Sequence, residues 1–299
     1  MLSEYKTNVN LINLHYPRIF YKNNAKTKHM KRVFYISLMI FMHFTIISTP
    51  SCVFYNKTCS AKFQPRMSIV IDDFGSYEQA GVETLLDIKQ PLTCAVIPLV
   101  DNTKQNIEQL SKTNHEIILH MPMQAHVNLP QSWYGETYIA IDDSQELINK
   151  KIDNCLKDFP KIKGFNMHIG SGVSRHKETM NRIYNYANSH DLYFLDSRTI
   201  ETNAVVESAN ATNSIYLGRD EFLESDKNKS YSNVRYRLLE GAKKAIKTGT
   251  SIVIGHVGAE GGEQTANAIK DTLPEIEKMG VEIVPLSTIY NISKIHHIK

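Results

Sequence analysis

Two carboxylates stand side by side at the end of an apolar run in MSIVIDDFGS, residues 67–76. Asp72 and Asp73 are neighbouring like charges, and each makes the other costlier to ionise unless a cation, a base or solvent takes up the field. Alone, such a pair also fits a solvated loop or a helix N-cap. Four further apolar runs end in comparable side chains. His120 follows IIL, Asn166 and His168 sit in GFNMHIGSG (164–172), Asp196 and Arg198 follow YFL, and His256 follows SIVIG. Within 164–169, strand alternation turns Phe165, Met167 and Ile169 one way and Asn166 and His168 the other. A single histidine in an apolar strand is ordinarily a hydrogen-bonded core residue. Two carboxylates and three histidines at the same ends of five strands are the inventory of a catalytic metal site, which uses three protein ligands and one open position.

The elements needed to gather these residues are legible from residue 67 onward. Short apolar runs at 67–71, 92–97, 116–121, 164–169, 192–196, 214–217, 251–256 and 281–284 alternate with helix-like stretches at 144–158, 177–190, 230–248 and 263–279. Asp143-Ser144 and Gly280 are suited to cap two of the helices. Strands that alternate with helices and lack polar faces imply a parallel sheet. Seven or eight such units predict an α/β fold, a distorted (β/α) barrel with seven or eight parallel strands. Its active face lies at the C-terminal ends of the strands. The stretch 122–142, with Pro122, Pro130, Trp133 and Gly135, reads as a loop over that face.

The composition is that of a globular protein: 299 residues, 42% hydrophobic and 22% charged. A net charge of +3 gives no case for a nucleic-acid partner, and part of it sits before residue 66, in Lys22, Lys26, Lys28, Lys31 and Arg32. From Met30 a basic start (Lys31, Arg32) leads into an apolar stretch, Val33–Ile47, and then into small and turn residues. This is the pattern of a secretory signal, and at about 15 residues it is short for a membrane span. Residues 1–65 therefore read as an export signal, or alternatively an uncleaved membrane anchor, followed by a linker. Residues 66–299 read as the catalytic domain. The destination is the periplasm, or the periplasmic or extracellular face of a membrane. Cys52 and Cys59 could pair there, whereas Cys94 in LTCAVI reads as a small core residue.

In their order, VIDDFG, ILHMPMQ, GFNMHIGSG, FLDSRT, RDEFLES and IGHVG resemble the divergent branch of the polysaccharide deacetylase superfamily, over about residues 67–290. The resemblance implies a metal-dependent hydrolase that removes N-acetyl groups from an envelope or extracellular polysaccharide or oligosaccharide. It implies one divalent metal ion, zinc being the usual one. Carried over residue by residue, Asp72 corresponds to the general base, Asp73 and His120 to metal ligands and His256 to the general acid. Where the mainstream family has a second histidine four residues after the first, this chain has Gln124, a weaker type of zinc ligand. His168 is the candidate for the third ligand, with the loop residue His126 behind it. Asn166 and Asp196 are candidate supporting residues, and Arg198 is expected to hold Asp72 in its charged form. The alternative on the same barrel is a secreted glycan-binding protein without turnover, with Trp133, Tyr134 and Tyr138 stacking on sugars.

The export reading has a direct test. A fusion after residue 66 to a reporter active only outside the cytosol is expected to be active, and a silent reporter would sink it.

Overall fold

The structure, a computed structural model, describes residues 64–225 and 228–297. The export segment from Met30 and the Cys52–Cys59 pairing lie outside the described residues. The strands are β1 (Arg66–Phe74), β2 (Thr93–Val96), β3 (Glu116–Met123), β4 (Gly164–Ile169), β5 (Tyr193–Asp196), β6 (Leu217–Gly218), β7 (Glu221–Phe222), β8 (Thr250–His256) and β9 (Glu282–Ile283). The helices are α1 (Val82–Leu86), α2 (Thr103–Leu110), α3 (Gln145–Cys155), α4 (Lys177–Ser189), α5 (Ala204–Ala211), α6 (Tyr231–Thr248), α7 (Gly262–Lys278) and α8 (Leu286–His297). Ser144 caps α3 by accepting the Leu147 N–H at 3.2 Å, and Gly280 ends α7 in the left-handed region at φ 83°. Each of the eight apolar runs contributes a strand, although the 214–217 run does so only at Leu217–Gly218. β7, α1, α2, α5 and α8 were not anticipated from the pattern.

The strands pair in the order β6-β5-β4-β3-β2-β1-β8-β7, every pair parallel, with β9 beside the start of β1. This is the distorted (β/α) barrel, an open, curled sheet of eight strands. Its two end strands are consecutive in the chain, with only Arg219 and Asp220 between them. The Arg219 N–H donates to the Asp196 carbonyl at 3.0 Å and the Asp220 N–H to the Ile252 carbonyl at 2.7 Å. One extended stretch therefore leans on β5 with its first half and on β8 with its second.

Alternation along the strands sorts the core into layers. Val70, Ala95, Ile118, Leu195, Ile252 and Ile254 form the inner cluster, joined by Leu286 and Ile289 of α8. Ile69, Ile71, Val96 and Val253 pack outward against helices α6 and α7, as Phe165 and Phe194 do against α4. Two residues beyond the inner Val70, Ile118 and Ile254 come Asp72, His120 and His256, so the apolar plug of the barrel gives way to polar side chains at its mouth.

Gly164, the first residue of β4, is paired with Tyr193. A Cβ there would lie 2.2–2.4 Å from Tyr193 ring carbons, and that ring is fully packed. Gly164→Ala is expected to destabilise the domain by about 1–3 kcal/mol through overpacking. The check is a lower denaturant midpoint with an unchanged m value.

Candidate metal centre

The two carboxylates face the same cleft because β1 carries one extra residue there. Ile71 is paired with Cys94 and Phe74 with Val96, so three steps along β1 match two along β2. Asp73 takes the left-handed conformation at φ 70°. Non-glycine residues rarely adopt it, and Asp is among those that tolerate it best. The bulge turns the Asp73 side chain back to the mouth beside Asp72, while Phe74 returns to the outer core.

Asp73 Oδ1 lies 3.3 Å from His120 Nε2 and 3.1 Å from His168 Nδ1, and the two ring nitrogens are 3.2 Å apart. These near-equal separations form a triangle. Zinc–ligand bonds of about 2.0–2.1 Å in a tetrahedron require ligand atoms roughly 3.3 Å apart. Asp73 Oδ1 is buried and makes no well-formed hydrogen bond, an arrangement that a bound cation would satisfy. These three residues also form the one cluster of potential metal-binding side chains among the described residues. They fit a divalent ion and leave a coordination position toward the cleft.

Each histidine is oriented by the nitrogen that faces away from the triangle. His120 Nδ1 lies 2.7 Å from Asn166 Oδ1, and His168 Nε2 lies 3.2 Å from the Trp133 carbonyl. Both partners are acceptors, so a ring that gave its inward nitrogen to a metal ion would keep its hydrogen on that outward side. Asn166 also donates from Nδ2 to Asp72 Oδ1 at 2.8 Å, linking the two carboxylate roles through one amide.

The carboxylates are driven in opposite directions. Burial raises Asp72, against the opposing pull of His120, His256 and the Asn166 hydrogen bond. Burial also opposes ionisation of Asp73, but the His120 and His168 rings beside it hold its carboxyl well below the usual range. The two adjacent acids are thus shifted apart, the pattern by which neighbouring carboxylates come to hold different protonation states.

On the other flank of β1, His256 stands opposite Asp72 in the β1–β8 register. Its Nδ1 is 3.0 Å from Glu224 Oε2, and its backbone N–H donates to Glu224 Oε1 at 3.1 Å. Burial works against the imidazolium, but the Glu224 hydrogen bond, with the charges of Asp73, Glu224 and Asp72, pushes His256 up to about 9. Glu224 lies in the RDEFLES segment, yet nothing in its local pattern distinguishes it from a surface acid. Its burial between His256 and Thr265 does.

Other expected residues fall elsewhere. Asp196 is buried on the outer face of β5, where it accepts from the Tyr216 hydroxyl at 3.0 Å and the Arg198 N–H at 2.8 Å. Alternation sends Ser197 into the cleft instead, its Oγ 3.4 Å from Asn166 Nδ2. Arg198 is exposed and donates to the Arg219 carbonyl at 3.1 Å, and the donor to Asp72 is Asn166 rather than Arg198. Gln124 Oε1 accepts the Ile141 N–H at 3.0 Å, and His126 is exposed beside Ser171. Of the three loop aromatics, Tyr134 is buried and stacks on Tyr138, leaving Trp133, 59% exposed, free to meet a ligand.

The metal triangle, Asp72 and His256 open into one cleft of about 990 Å³. Tyr77 and Trp133 stand exposed on its rim. Among the described residues its lining includes Glu78, Asp101 and Glu136 but no lysine or arginine.

The chain belongs to the divergent polysaccharide deacetylase family, whose sequence pattern it matches over residues 69–290. It is similar to the uncharacterized protein YibQ of Escherichia coli (strain K12), 26% identical over 191 residues, which are 64% of this chain and 58% of YibQ. It is also similar to an uncharacterized protein of Haemophilus influenzae, 25% identical over 193 residues, 64% of this chain and 67% of that one. The chain thus spans less than two thirds of YibQ. An uncharacterized protein from Agrobacterium tumefaciens C58 shares the fold, with a TM-score of 0.68 at 17% identity, covering 77% of this chain and 91% of that one.

The triangle predicts that zinc stabilises the parent protein. A ligand at 100-fold over its Kd contributes about 2.7 kcal/mol. Asp73→Asn tolerates the same backbone conformation but supplies a neutral amide. It is expected to lose the zinc-induced rise in Tm while keeping or raising the Tm measured in chelator.

Proposed function

We propose that this protein hydrolyses N-acetyl groups from a polysaccharide or oligosaccharide outside the cytoplasm, using one divalent metal, zinc being the best fit. The observation that carries this reading is the ligand triangle of Asp73, His120 and His168, set between Asp72 on one side and the His256–Glu224 pair on the other. A bound metal would polarise the acetamide carbonyl and stabilise charge on its oxygen. Asp72, buried and held by Asn166, takes a proton from the attacking water. His256, charged at neutral pH, gives its proton to the departing nitrogen as the C–N bond breaks, leaving acetate and a free amine.

The cleft supports a glycan. Tyr77 and Trp133 offer exposed aromatic faces for sugar rings, and the carboxylates Glu78, Asp101 and Glu136 in the lining suit an uncharged amino sugar better than an acidic polymer.

The roles separate by measurement. Initial rates on a small N-acetylated oligosaccharide and bound metal are compared in the parent and in variants. Asp72→Asn is expected to keep its metal and lose about 10²–10⁴-fold in rate, the usual share of general-base catalysis. Asp73→Asn loses the metal itself. If Asp72→Asn loses metal and Asp73→Asn keeps it, the assignment is reversed. If the metal-loaded parent turns over no acetylated glycan, the glycan-binding reading replaces this one.

The acid limb has its own signature. His256 must be protonated to act, so the rate should fall as pH rises through about 9. Glu224→Gln removes the hydrogen-bonded charge that raises His256. It should shift that limb to lower pH with metal content unchanged, whereas an unshifted limb would remove His256 from the acid role.

A further inference from the structure

We propose that the 124–142 insertion is part of the metal centre: the Trp133 peptide carbonyl orients the His168 ring that offers Nδ1 to the metal, and Tyr134 is the positioning residue that keeps that carbonyl in place. The inference rests on the metal-centre part of the proposed function and not on the identity of the substrate.

The two histidine ligands have acceptors of different kinds. His120 is oriented by Asn166, a side chain on β4 and therefore part of the sheet. His168 is oriented by a backbone carbonyl in a loop. A carbonyl only accepts, so at 3.2 Å it can hold the Nε2 hydrogen of a His168 ring whose Nδ1 is given to a metal. Metal ligation by His168 then depends on where a loop puts one oxygen atom.

That oxygen belongs to the peptide joining Trp133 to Tyr134, and Tyr134 is the anchored one of the two. Its side chain is 6% exposed, its hydroxyl accepts the Ala125 N–H at 3.1 Å, and its ring stacks on Tyr138 at 4.6 Å. The arms of the insertion are stapled to the strands that carry the ligands. The Gln124 N–H donates to the Ile139 carbonyl at 2.9 Å, and its Oε1 accepts from Ile141. The Gln124 carbonyl accepts from Gly172 and Val173, in the turn after β4, at 3.0 and 3.1 Å. Gln124 stands four residues after His120, where the mainstream pattern has a ligand. Here it holds the loop that orients a ligand supplied by another strand.

The experiment uses the full chain prepared free of metal. Zinc affinity is measured by competition with a chromophoric chelator, and the His168 Nε2 hydrogen is followed by ¹H–¹⁵N NMR in the zinc-loaded protein. The parent is expected to show that hydrogen protected from exchange by the Trp133 carbonyl. Tyr134→Ala should lower zinc affinity by about 10–100-fold, the usual effect of losing a group that orients a ligand, and should lose that protection. Tyr134→Phe, which keeps the ring and loses only the hydroxyl, should recover part of the affinity. Trp133→Ala should leave zinc affinity little changed, because it retains the peptide carbonyl. Gln124→Ala supplies a second route to the same loss should Tyr134→Ala fail to fold. Parent-like affinity and parent-like protection of the His168 Nε2 hydrogen in both Tyr134→Ala and Gln124→Ala would overturn the proposal. So would a loss in Trp133→Ala equal to that in Tyr134→Ala. A parent that binds no zinc overturns the metal centre itself, whereas failure to find a deacetylated product touches only the substrate.

Discussion

Everything at the mouth of this barrel depends on the extra residue in β1. In an unbroken strand Asp72 would face inward and Asp73 would face the helices, and no ion could use both acids. The left-handed backbone at Asp73 reverses the second side chain and sets it 3.1–3.3 Å from two imidazole nitrogens. The conformation costs on the order of 1–3 kcal/mol, and the buried carboxylate oxygen without a hydrogen bond adds to it. A cation at that point would offset both.

Around this point two polar chains run in opposite directions along the sheet. Toward β3 and β4, one asparagine amide uses its oxygen on His120 and its nitrogen on Asp72, so ligand and proton acceptor share a single support. Toward β8 and β7, Glu224 grips both the ring and the backbone of His256. The flanks have opposite electrostatic purposes. One fixes an imidazole through an amide oxygen, whereas the other keeps an imidazole charged.

The barrel and most of its centre were legible because strand alternation is a strong code. Val70 and Asp72, Ile118 and His120, and Ile254 and His256 each repeat one pattern, an apolar residue inside and a polar one two positions later. The same code places Asp196 outward behind Leu195, although its position at a strand end drew it into the expected site. Arg198 was misplaced because a long side chain after a strand can reach several ways, and its backbone at φ 51° directs it to Arg219. What no local pattern revealed were partners distant in sequence: Glu224 for His256, and the Trp133 carbonyl for His168. A backbone oxygen has no residue type to read, and a buried glutamate resembles an exposed one until the fold is known.

The short β6–β7 stretch has a further consequence. It meets β5 and β8 through two-residue ladders, and Glu224 follows it directly. Asp73, His120 and His168 sit on β1, β3 and β4, each separated from this seam by at least one strand. Local unfolding begins where few backbone hydrogen bonds hold, so warming would open the seam while the central strands remain intact. Asp73, His120 and His168 would then stay together while Glu224 leaves His256. Such a molecule would still be folded, with its carboxylate–imidazole triangle whole and its glutamate–imidazole pair undone, a reversible state set by temperature.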